Sequence, residues 1–252
     1  SDVCSSDLAV FIATSGDNVS LVGGDVSLAD GSHLTIDTNI ADSGEANGGN
    51  ISIAGGIDGS ADENLTLDAH STGTGTITLA KVGAGEQTGI TASEINTLTL
   101  TAGGGITLGG DISTSDANDT PGVDINGDVI LSASVTITTD SGGTDGTIDI
   151  SGGIDGTTGS HQNLIIDSGT ANVTIGSSTS DGSTFGTGTT IQFDPGTTNT
   201  TLSASSITSA LANSNVIIGT LNSSVSDAGT ITVDEALTNI SVASAGKKLT
   251  LF

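Results

Sequence analysis

The chain has 252 residues, a net charge of −26 and only three basic residues, Lys81, Lys247 and Lys248, with no arginine. That excludes the basic footprint of a nucleic-acid binder and any arginine clamp on phosphate or carboxylate. No apolar run approaches the ~18 residues a membrane-spanning helix needs, and Gly, Ser and Thr at 38, 34 and 40 residues argue against helices altogether. Acidic, Gly/Ser-rich chains are often disordered, but 34% hydrophobic residues and only 13% charged ones are enough apolar surface to fold, provided they are ordered along the chain.

Residues 1–8 read SDVCSSDL and reproduce an in-frame translation of a sequencing-adapter oligonucleotide. They are read as non-native. On that reading the remainder carries no cysteine, its charge is −24 once Asp2 and Asp7 are removed, and the true N-terminus with any export signal lies outside the chain.

From residue 19 onward the pattern is one short motif, apolar–polar–apolar, repeated. It occurs as VSL (19–21), VSL (26–28), LTI (34–36), ISI (51–53), LTL (65–67), ITL (77–79), LTL (98–100) and ITL (106–108). It continues as VDI (123–125), VIL (129–131), VTI (135–137), IDI (148–150), LII (164–166) and VTI (173–175), then IQF (191–193), VII (216–218), ITV (231–233), ISV (240–242) and LTL (249–251). A period of two marks strands with one face buried, and the Gly, Asp, Asn and Ser clusters between them are turn chemistry.

A longer repeat lies above the triplets. GNISIAGGIDGSADENLTLDA (49–69) returns as GTIDISGGIDGTTGSHQNLIIDS (146–168), GGDVSL (23–28) as NGDVIL (126–131), and LTI (34–36) as VTI (135–137). The unit is about 100 residues, spanning about 19–120 and 121–220 with a partial unit over 221–252. Self-similarity with insertions confined to turns indicates a stacked repeat. The fold expected is all-β: a right-handed parallel β-helix, or β-solenoid, continuous over 9–252, with 20–25 residues per coil and roughly ten coils. An array of immunoglobulin-like sandwiches is the alternative, and it calls for core aromatics that a chain without Trp or Tyr lacks.

The stretches INTLTLTAGGGITLGGDIST (95–114) and VDINGDVILSASVTITTDSGGTDGTIDISGGIDG (123–156) resemble the repeats of filamentous-haemagglutinin-like and autotransporter-passenger surface exoproteins of bacteria. ITSALANSNVIIGT (207–220), AGTITVDEAL (228–237) and KLTL (248–251) resemble the haemagglutinin-type motif of the same group. The resemblance implies a right-handed β-helix exported across the outer membrane of a Gram-negative cell, serving as an adhesive stalk. Its contacts would be with a host-cell, polysaccharide or abiotic surface.

Candidate chemistry is sparse, and no enzyme is expected. Asp58 and Asp155 recur inside GGIDG, and Asp68 and Asp167 after the apolar triplets. Recurrence is what a turn-forming Asp does, whereas a glycosidase needs one carboxyl pair ~5–9 Å apart. His33, His70 and His161 stand apart at corner positions, without the spacing of a zinc site. No catalytic or cofactor-binding residue emerges and no cofactor is expected. Calcium is the one metal with a candidate set, Asp116, Asp119, Asp124 and Asp128, weighed against solvated turn acids because the position twelve from Asp124 is Val135 rather than Glu. Paired glycines such as Gly23–Gly24 and Gly109–Gly110 precede no helix and read as tight corners rather than phosphate cradles. Eight Asn-x-Ser/Thr sequons follow from Asn turns preceding Ser/Thr strands. The spread of acids suits a self-repelling extracellular rod that neither inserts into membranes nor binds nucleic acid. Unpaired coil edges would drive end-to-end self-association of the fragment.

Overall fold

The computed structural model describes residues 9–40, 47–59, 63–83, 95–115, 121–139, 146–152, 154–156, 163–167, 173–175, 190–194, 200–202, 215–218, 231–233 and 249–251. Among them there are strands and turns and no α-helix. The chain makes nine passes over the same positions. The first three are β1 (Ala9–Ala13), β2 (Val19–Leu21) and β3 (Val26–Ser27); β4 (His33–Asp37) and β5 (Ile51–Asp58); and β6 (Asn64–Asp68) and β7 (Ile77–Val82). The next three are β8 (Thr97–Thr101), β9 (Ile106–Leu108) and β10 (Ile112–Ser113); β11 (Pro121–Asn126), β12 (Val129–Leu131) and β13 (Val135–Thr138); and β14 (Thr147–Ile150), β15 (Ile154–Gly156) and β16 (Asn163–Asp167). The last three are β17 (Val173–Ile175) with β18 (Thr190–Asp194), β19 (Thr200–Leu202) with β20 (Asn215–Ile218), and β21 (Ile231–Val233) with β22 (Leu249–Leu251).

Every pairing between these strands is parallel, and each strand pairs with its counterpart one pass away. The first sheet runs β1-β4-β6-β8-β11-β14-β17-β19-β21. The second contains two stacks. In one, β2, β5, β7, β9, β12 and β15 follow one another; in the other, β3, β5, β7, β10, β13, β16, β18, β20 and β22. The strands β5 and β7 belong to both stacks, bending between them where their pairing shifts at Ile53/Gly56. The architecture is therefore all-β, parallel and repeat-like. The triplet at 240–242 lies outside the described residues; every other triplet lies on a strand, Leu28 standing just past the end of β3.

Register explains why such short strands hold. In the first sheet Leu34 stands opposite Leu65, then Leu98, Val123, Ile148 and Val173, with 31, 33, 25, 25 and 25 residues between neighbours. Three of these passes sit at the upper end of the 20–25 residues the triplet spacing suggests, and the first two exceed it because turn insertions add to them. One position on, Ile36, Leu67, Leu100, Ile125 and Ile150 form a second column, and all five are buried. The second sheet adds Ile51, Ile77, Ile106, Val129 and Ile154, and Ile57, Val82, Ile112, Ile137 and Ile166, again buried. A three-residue strand cannot fold alone. Stacked ~4.8 Å from its equivalents, it buries two apolar side chains and satisfies its backbone on both sides.

Corners carry the polar stitching. Asn50 Oδ1 accepts from Thr76 N at 3.0 Å and Thr76 Oγ1 at 2.9 Å, while Asn50 N donates to Asn18 Oδ1 at 2.7 Å. Asn64 Oδ1 accepts from Asn96 Nδ2 at 3.0 Å and Thr97 Oγ1 at 2.8 Å. Three sequon asparagines are thus bonded to the neighbouring pass. Asp25 and Asp111 do the same, accepting from Gly56 N at 2.8 Å and Thr136 N at 2.7 Å. One corner admits only glycine: Gly127 has φ 149°, and a Cβ there would collide with the Ala102 carbonyl.

Candidate functional site

The outer face of the first sheet carries the polar residues of the triplets in a column: Thr35, Thr66, Thr99, Asp124 and Asp149, one per pass. Pleating puts them on the side opposite the buried leucines and isoleucines. Asp124 and Asp149 are register neighbours. The Asp124 carboxyl is held above its ordinary value of 3.8, first because partial burial strips water from the charged form and also because Asp149 lies beside it. A hydrogen bond from Asn126 Nδ2 to Asp124 Oδ1, 3.1 Å, opposes both effects.

Where this face turns into the second sheet, the corners of successive passes leave an open groove of about 350 Å³. Its walls include Ser71, Gly103, Asn126, Asp128, Ser151 and Gly152. The floor is backbone brought close by the corner glycines, and Asn126 links the groove to the Asp124–Asp149 pair. Hydroxyl, amide and carboxyl groups on an open polar surface can hydrogen-bond a polyol.

Two of the four calcium candidates lie among the described residues. Asp124 projects from β11 beside Asp149, whereas Asp128 lies at the corner and lines the groove; Asp116 and Asp119 lie outside the described residues. Among the described residues no three His, Cys, Asp or Glu side chains gather closely enough to hold a metal ion. His33 accepts at Nδ1 from Asn64 N, 3.1 Å, and His70 turns a corner at φ 69° with its N–H on Asp68 Oδ1, 2.8 Å. His33 opens strand β4, and His70 stands in a corner. His161 lies outside the described residues.

Two acids behave differently from turn acids in water. Asp58 ends β5 with 8% of its surface exposed, and its Oδ1 is buried without a hydrogen-bond partner. Glu63 is fully buried, facing Gly59 and Ile95. The sequence marks Asp58 as a recurring turn residue and gives no sign of Glu63. Their burial follows from how the neighbouring passes stack, which no triplet encodes. The chain matches no protein-family model, no curated protein and no solved structure.

Proposed function

We propose that residues 9–252 form one continuous right-handed parallel β-helix, a stalk segment of a large secreted bacterial surface protein. The observation that carries this reading is the nine-pass recurrence of the same strand order with in-register apolar columns. Right-handedness follows the strong preference of parallel crossover connections. Nine passes at ~4.8 Å extend roughly 40 Å, and the ~100-residue unit over 19–120 and 121–220 supplies the length by repetition. The segment works by reach. Its polar outer columns make weak contacts with a host-cell, polysaccharide or abiotic surface, and many such contacts add through avidity. The setting is the exterior of a Gram-negative cell, where salt screens the self-repulsion of the charge of −24 left once Asp2 and Asp7 are removed from −26. No step of catalysis is assigned to it.

The corner groove favours a second reading, a glycan-binding module with a defined site beside Asp124 and Asp149. Binding of soluble oligosaccharide and of the same glycan on beads separates the two. The stalk reading expects no saturable one-to-one binding in solution and retention that rises steeply when the protein is clustered. A saturable one-to-one isotherm lost in Asn126→Ala overturns it in favour of the module, and release of reducing ends would identify an enzyme.

A further inference from the structure

We infer that the internal sequence repeat advances by eleven strand segments, three and two-thirds passes, so that each successive copy falls one face short of four full passes and displays its residues one face back round the stack. The inference rests on the stacked-pass reading given above and goes beyond it.

The matched residues fall on different faces. Ile51 and Ile53 belong to the stack of β2, β5 and β7, but their counterparts Ile148 and Ile150 belong to the first sheet. Leu65 and Leu67 lie in the first sheet, and their counterparts Leu164 and Ile166 in the stack of β13 and β16. Ile57 pairs with Val26 and Val82 in that same stack, while its counterpart Ile154 pairs with Val129 in the other. Val26 and Val129 divide in the same way. Every displacement has the same sense. Between each matched pair the chain crosses eleven segments, counting β5 and β7 once in each stack they join.

The physical reason is that all three faces ask the same thing of the sequence. Each needs two apolar side chains pointing inward and a polar one between them pointing outward. The counterparts meet that demand wherever they land: Ile51, Ile53, Ile57, Leu65 and Leu67 are buried, and so are Ile148, Ile150, Ile154, Leu164 and Ile166. Nothing in the core distinguishes one face from another, so a unit of eleven segments inserts as readily as one of twelve.

The outer surface does change. Position 52 is Ser on the second sheet and its counterpart Asp149 is on the first; Thr66 is on the first sheet and its counterpart Ile165 on the second. A group carried at a fixed place in the repeat points to a new side in each copy and returns to its starting face after three copies.

Disulfide trapping tests this on the Cys4→Ser background. Outward residues of neighbouring passes have Cα atoms ~4.8 Å apart, within disulfide range. Three double-cysteine variants are oxidised mildly and the linked fraction read by mass spectrometry. Thr78→Cys with Thr107→Cys, neighbours in the second sheet, reports on stacking alone. Asp124→Cys with Asp149→Cys reports on the shifted face. Ile130→Cys with Asp149→Cys asks whether Asp149 instead sits in the stack of Ser52, which contains Ile130. The expected result is linkage of the first two pairs, with the third at least about tenfold lower. Linkage of the first and third pairs without the second overturns the face shift and leaves the stacked passes standing. Comparable linkage of the second and third overturns it too, because Asp149 would then have no fixed face. Failure of the first pair overturns stacking, and the face shift with it.

Discussion

Leu100 is the sharpest probe of the core. It is fully buried on β8, in register with Leu67 on one side and Ile125 on the other. Leu100→Ala removes three carbons. At ~0.8 kcal/mol each, the lost transfer energy is about 2.4 kcal/mol. The column cannot close the gap, because backbone pairing fixes the passes ~4.8 Å apart, so a cavity cost adds and the total reaches about 3–4 kcal/mol. Its neighbour Thr99 points outward on the same strand, and Thr99→Ala should stay within about 0.5 kcal/mol of the parent. Urea unfolding followed by far-ultraviolet circular dichroism gives both values, provided the slope is unchanged between variants. Equal costs for Leu100→Ala and Thr99→Ala, or the larger cost at Thr99, would refute the inward–outward assignment of the entire first sheet. A one-residue slip of register exchanges the two faces.

Three further outcomes follow from the corners and the acid pair. Gly127→Ala should cost about 2 kcal/mol or more, since φ is 149° and the Cβ meets the Ala102 carbonyl, whereas Gly24→Ala, which opens into free space, should be nearly neutral; thermal melting compares them. Asn50→Ala removes two hydrogen bonds to Thr76 and should lower stability by about 1–2 kcal/mol in the same urea assay, with Asn50→Asp intermediate; no loss would mean the corner bonds do not stitch the passes. Asp124 is raised in the folded state, so folding takes up protons as pH falls toward 3.8, and this group's contribution to stability grows on acidification and is lost as pH rises through its folded value. Asp124→Asn should therefore raise the urea midpoint at pH 7, with the gain fading below about pH 3.8; a lower midpoint at pH 7 would contradict the cost of burying this charge beside Asp149.

The strands were legible because pleating imposes a period of two, and a triplet such as Leu98–Thr99–Leu100 leaves no choice about which residues face inward. The parallel stack was legible in outline from the long repeat. What the triplets could not convey is which face each strand joins, since all faces use the same apolar pair. For that reason the continuous bend of β5 across Ala54 and Gly55, joining two stacks, is invisible in the sequence. Strands lacking a full triplet, such as β10 with only Ile112 and Ser113, also escape pattern reading. At the site, alternation along β11 puts Asp124 on a sheet face and leaves Asp128 past the end of the strand. The buried Glu63 gave no signal at all, because its surroundings come from neighbouring passes.

The central claim is that spatial separation along the stack counts passes rather than residues. Pulsed dipolar spectroscopy measures this directly with spin labels at Thr35 paired in turn with Asp149, Thr174, Thr201 and Thr232, all in one column of the first sheet on the Cys4→Ser background. These positions are four, five, six and seven passes from Thr35, so the distances should rise in equal steps through about 19, 24, 29 and 34 Å. Distances that rise unevenly, following the unequal 25-, 27- and 31-residue lengths of the last three passes, or that fail to rise at all, would contradict a parallel in-register stack.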